Sequence, residues 1–195
     1  FVLASMSIGW PTASALSGRL YLRIGFRDTA LVGAALVVIA SLSFSLMPEP
    51  QPVWAVVPNQ VVLGAGFGLL STPLLVGVQS VVGWERRGVV TGANMFSRYL
   101  GQSLGAALFG AIFNGAVAAR LADAPAALRG QLPGGVDGVI EFLQRTHGAT
   151  AAEAYLRHTI GLATRDLFIG MGVAAIAIIG VLATVVPRKF PTPPQ

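Results

Sequence analysis

The chain has 195 residues, of which 54% are hydrophobic and only 11% charged, and its mean hydropathy is +0.71. A soluble domain carries about 25% charged residues; this deficit, with apolar runs of bilayer-spanning length, excludes an ordinary water-soluble domain and predicts an integral membrane protein. The net charge of +5 does not point to nucleic acid, because the basic residues bracket apolar runs and form no aromatic-interleaved patch. The lack of cysteine rules out disulfides and thiolate metal sites.

In chain order, the hydropathy pattern predicts five spans. The first covers about 1–18, with Pro11 as a kink. Without an initiator Met or a basic n-region, this stretch reads as the end of a span rather than a signal peptide, and the chain as part of a longer protein. The second span covers about 29–47. The third, about 53–82, has no charge but holds Pro58 and Pro73, so it is long, tilted or bent. The fourth covers about 88–118 and the fifth about 167–186. The fold class expected from these is all-α, a polytopic membrane helix bundle of about five transmembrane helices.

Loop charges set the orientation. Arg19, Arg23 and Arg27 fall between spans one and two, Arg86 and Arg87 between three and four, and Arg188 and Lys189 after span five. The positive-inside rule makes that side, and the carboxy terminus, cytoplasmic in a multi-pass protein of the plasma (inner) membrane. The opposite turn, PEPQP at 48–52, has no Lys or Arg. The other outward segment, about 119–165, carries five arginines against Asp123, Asp137, Glu141 and Glu153, with Asp166 just beyond. LPGG at 132–135 marks a break, and Thr150 with Glu153 has capping-box spacing, so a short helix is expected near 151–162. This segment reads as a small helical hairpin outside the membrane. The tail at 190–195, rich in proline, reads as disordered.

Span four concentrates the polar signal. In Gly88–Ala116 the single charged residue is Arg98. Asn94, Arg98 and Gln102 recur every four residues and would stack as one polar stripe. Ser97, Gly101 and Gly105 form a parallel line of small residues, a spacing that lets two helices approach closely in lipid. Leu100, Leu104, Leu108 and Ile112 supply an apolar face. A cation within a span is costly and marks a functional site by default; the competing reading is that Arg98 snorkels to a headgroup or pairs structurally.

Span three contains GAGFG, with Gly64 and Gly68 four apart. A phosphate loop is excluded, since no strand precedes it and no Lys follows; close helix packing is the expectation. Asn59, Gln60 and Gln79 are the polar residues of this span. With Asn94, Arg98 and Gln102 they complete the set of candidate substrate-cavity residues, although such amides more often bond helix to helix.

Two stretches carry a family resemblance. Gly18, Leu20, Arg23, Gly25 and Arg27, between spans one and two, resemble the signature loop of the major facilitator superfamily, G-x-L-x-D-R-x-G-R-R, with Leu22 standing at its acidic position. Arg87-Gly88, Thr91-Gly92, Phe96, Arg98 and Leu100-Gly101 through Gly105-Ala-Ala-Leu are similar to the penultimate span of the fourteen-span drug:proton antiporters. Those proteins also place a long outward loop before the last span. The resemblance implies a carboxy-terminal half-bundle from the second half of a major facilitator fold, the remainder of the transporter being a partner outside this chain. It further implies export of small amphipathic, often cationic substrates driven by a proton gradient, with no other cofactor. No span holds Asp, Glu, Lys or His at mid-depth, so carboxylates for proton coupling are expected outside this chain, and the chain alone is not expected to transport.

Two other functional classes compete with this reading. Gly101-Gln102-Ser103-Leu104-Gly105 fits G-x-S-x-G, the pattern of a serine hydrolase. That elbow requires a preceding strand and a base within reach, whereas helix is predicted and His147 and His158 lie in the outward segment. A non-transporting membrane sensor or assembly component is the other alternative. The two histidines, eleven apart without partner ligands, do not make a metal site.

Overall fold

A computed structural model of the chain describes residues 2–49, 51–145 and 150–188. Phe1, Lys189, His147 and the proline-rich tail lie outside the described residues. Five long helices dominate: α1 (Val2–Ile24), α2 (Phe26–Ser45), α3 (Val53–Ser80), α4 (Arg87–Ala122), and the last one, α7 (Ala151–Val185). A 3-10 turn at Trp84–Arg86 leads into α4, and two short helices, α5 (Ala126–Arg129) and α6 (Val136–Arg145), lie between α4 and α7. Four helical stretches are long and apolar enough to cross a membrane: Phe26–Ser45, Val53–Ser80, Trp84–Ala122 and Ala151–Val185. Although 23 residues long, α1 is not among them; Ser5, Ser7, Ser14 and Ser17 dilute its hydropathy.

The packing of α1, α2 and α3 follows from small residues. On α2, Ala30, Gly33, Ala34, Val37, Ala40, Ser41 and Phe44 are buried, a three-and-four spacing that defines one helix face. A Cβ added at Gly33 would lie 2.5 Å from the Leu70 nitrogen of α3. One added at Gly64 would lie 2.5 Å from the Met6 carbonyl oxygen, and at Gly68 2.6 Å from that of Trp10. Both glycines of the GAGFG segment therefore hold α1 and α3 at backbone contact. The register runs Met6 to Gly64 and Ser14 to Gly68, so α1 and α3 are parallel, while Asn59 beside Ala40 makes α2 antiparallel to α3. Pro58 and Pro73 lie inside α3, which continues through both. Pro11 lies inside α1, and the Thr12 hydroxyl beside it donates to the Ile8 and Gly9 carbonyls at 2.8 and 2.9 Å.

Two buried clusters stack along the bundle. The first joins Val37, Ala40, Leu63 and Ala175, so α2, α3 and α7 share a core, and Phe44 stacks on Phe168 at 3.7 Å between centroids. The second joins Val117, Val139, Leu156 and Ala163, placing α6 against the carboxy-terminal end of α4 and the amino-terminal part of α7.

Three sequence expectations need correction. The signature segment is not a loop: Gly18, Leu20 and Arg23 lie within the last turns of α1, Arg27 lies in the first turn of α2, and the helices are separated by Gly25 alone. Gly25 has φ of 93°, a conformation open to glycine and costly for a residue with a Cβ. Second, the short helix expected at 151–162 and the span expected at 167–186 are one 35-residue helix. Nothing between Leu162 and Leu167 breaks a helix, and Arg165 and Asp166 lie inside it. At 36 residues, α4 is likewise about 54 Å long, well beyond a hydrocarbon core of about 30 Å. The outward hairpin shrinks accordingly to α5 and α6. Third, Gly101 and Gly105 do not form a packing seam among the described residues. A Cβ at either would meet open space, because α4 touches α3 near its start and α7 near its outer end and has no helix against its middle.

Candidate substrate cleft

Arg98 and Asn94 lie one turn apart on α4 and face the groove between α1 and α3. The Arg98 guanidinium sits 5.6 Å from the centroid of the Trp10 ring. A cation over an indole face is attracted by the ring quadrupole, which gives the charge a partner other than a headgroup. Trp10 is in turn braced by Phe67 of α3, centroid to centroid 5.9 Å. Ser71, Thr72, Leu74 and Leu75 of α3 and Met95 of α4 complete a cleft of about 470 Å³, within the usual range for small-molecule sites. Hydroxyls, an amide, a guanidinium and an indole thus line the cleft together with leucines and a methionine.

The remaining candidates are elsewhere. Gln102, one turn beyond Arg98, is exposed and does not line the cleft. Asn59 is buried and its Nδ2 donates to the Ala40 carbonyl of α2 at 2.8 Å; Gln60 is buried beside it. Gln79 donates through Nε2 to the Thr91 hydroxyl at 2.8 Å, tying the end of α3 to the start of α4. Asn59 and Gln79 are therefore interhelical bonds rather than cleft groups. Trp10, Ser71 and Thr72 were missed on sequence. The available signal was an indole in a serine-rich span and a hydroxyl pair in an uncharged one.

The signature residues divide between two places. Leu20 and Arg23, with Arg19, line a smaller cleft of about 330 Å³ against Leu69. Arg27 crosses to α7, its Nη2 donating to the Ala183 carbonyl at 2.6 Å, and Arg188 lies 3.9 Å from Asp28. Leu22, at the position where the signature carries an acid, is 80% exposed, so it takes no part in that junction. Ser103 lies inside α4 rather than at a strand–turn–helix elbow, and His158 is engaged with Glu49 at 3.6 Å.

Long apolar helices in alternating direction, packed through glycine beside a polar cleft, define a multi-pass helical membrane protein. The sequence profile of the Major Facilitator Superfamily matches residues 1–106, and the chain belongs to that superfamily. It is 38% identical over 120 residues to an uncharacterized MFS-type transporter of Mycobacterium tuberculosis, covering 61% of this chain and 18% of that protein. It is 28% identical over 123 residues to a tetracycline resistance determinant of Streptomyces rimosus, covering 63% and 35%, and 24% identical over 113 residues to the multidrug transporter protein MdtP of Bacillus subtilis, covering 58% and 21%. The aligned part thus spans between about a fifth and a third of these relatives. No solved structure matches the chain at a significant level.

Proposed function

We propose that this chain is the carboxy-terminal part of a fourteen-span drug:proton antiporter and supplies one wall of its substrate path at the Trp10–Arg98 cleft. The observation that carries the proposal is Arg98 held over Trp10, beside Asn94, in the cleft between α1, α3 and α4. A costly intramembrane cation placed against an aromatic platform suits a site that handles amphipathic molecules. Relatives whose names carry tetracycline resistance and multidrug transport favour export of drug-like compounds. Proton coupling needs titratable groups within the membrane; these are assigned to the rest of the transporter, in the plasma membrane with the carboxy terminus cytoplasmic.

Ethidium efflux from vesicles bearing the full-length transporter tests this reading. Energised wild-type vesicles should clear the dye and a protonophore should stop them. Arg98→Ala should slow efflux by about tenfold, the scale of one lost polar contact of ~1.4 kcal/mol. Efflux unchanged in Arg98→Ala would reduce the arginine to a structural role, and no efflux from either protein would favour the sensor or assembly alternative.

A further inference from the structure

A second and larger cavity, of about 650 Å³, opens on the outward side between the α2–α3 turn, α6 and α7. Its apolar wall is Leu143, Ala154 and Ile160, and Glu49, Gln51 and Thr164 supply polar groups. Glu49 lies in the turn between α2 and α3, where Pro48 and Pro52 limit backbone freedom. Its side chain is 22% exposed. It lies against α7 because residue 161 is glycine: a Cβ there would come within 2.7 Å of the carboxylate.

Charge decides what this cavity takes. Arg157 is paired with Glu153, its Nε donating to Glu153 Oε1 at 2.8 Å and its Nη2 lying 2.7 Å from the same oxygen. Among the described residues the Glu49 carboxylate has one ionic neighbour, His158, whose Nε2 stands 3.6 Å away, beyond hydrogen-bond range. The cavity therefore presents a half-enclosed anion with a weak partner beside an aliphatic wall, at a volume that fits a drug-sized molecule. The Arg157 charge is offset by Glu153, which leaves Glu49 as the carboxylate among the lining residues that a cation can approach.

We propose that this outward cavity binds an organic monocation with a bulky apolar body, its charged centre against Glu49 and its body against Leu143 and Ile160. The proposal deepens the transporter reading by placing a cation site at the external end of the chain, yet the binding stands or falls apart from the Trp10–Arg98 cleft.

Equilibrium dialysis of labelled tetraphenylphosphonium against the full chain in phosphatidylcholine nanodiscs tests it. Saturable binding is expected, weakened about tenfold or more by Glu49→Gln, partly restored in Glu49→Asp, and weakened by Gly161→Leu. Helical circular dichroism and monodisperse elution establish that each variant is folded. The absence of saturable binding to the wild-type chain overturns the proposal, as does binding indifferent to both Glu49→Gln and Gly161→Leu. Binding lost in Arg98→Ala but kept in Glu49→Gln places the cation in the other cleft and also overturns it.

Discussion

Arg27 Nη2 donates to the carbonyl of Ala183 at 2.6 Å, across 156 residues of sequence. This bond fastens the first turn of α2 to the last turn of α7, where free carbonyls and the negative end of the helix dipole favour a cation. Arg188 beside Asp28 closes the same junction from the other side. The arginine of the signature segment thus acts here as a cap on the final helix. Replacing it with Ala should cost about 1 kcal/mol, read as a lower apparent Tm of the full chain in detergent, and Arg27→Lys should recover part of the loss.

Glycine substitutions separate close contact from open surface. Gly64→Leu and Gly68→Leu should destabilise severely, by ~3 kcal/mol or more, because the new Cβ meets backbone that cannot move aside. Gly101→Ala and Gly105→Ala, with open space at the Cβ position, should stay within about 0.5 kcal/mol of the parent or stabilise the helix. Unfolding of the chain in mixed micelles distinguishes the pairs, and equal effects at all four positions would refute the packing described.

The unbroken course of α7 is checked by hydrogen exchange. Amides from Leu162 to Leu167 should be protected to the same degree as their neighbours on either side, with no fast-exchanging gap. The ion pair of Arg120 with Asp166, at 2.8 Å and 29% and 38% exposed, should show a coupling of ~0.5–1 kcal/mol in a double-mutant cycle. The Tyr155 hydroxyl, which donates to the Arg120 carbonyl at 2.6 Å, braces the same junction.

Trp10 gives a prediction that polarity alone would not. If the indole face holds Arg98, Trp10→Leu should weaken dye efflux by the full-length transporter nearly as much as Arg98→Ala, while Trp10→Phe should retain most of it. Non-additive loss in the double variant, compared with the two single ones, is the expected signature of a shared contact.

The class of the protein was legible in the residues. A deficit of charge, apolar runs of bilayer length and arginines grouped on alternate connections specify a multi-pass helical protein, because lipid leaves the backbone no other way to satisfy its hydrogen bonds. The Gly64–Gly68 spacing and the Thr150 cap were readable for a similar reason. Each depends on neighbours within a helical turn or two, and Thr150 does accept from the Glu153 amide at 3.2 Å.

Tertiary structure alone decided the partners. The same four-residue spacing occurs at Gly64–Gly68 and Gly101–Gly105, yet α1 lies against the first pair and none of the described residues lies against the second. Asn59, Gln79 and Arg98 look alike as polar residues in apolar spans. They separate into two interhelical bonds and one cleft residue only once α2, α4 and Trp10 are in place. Hydropathy measures what each segment needs from its solvent, so it fixes which segments enter lipid; which side chains meet depends on the angles and registers at which the helices pack.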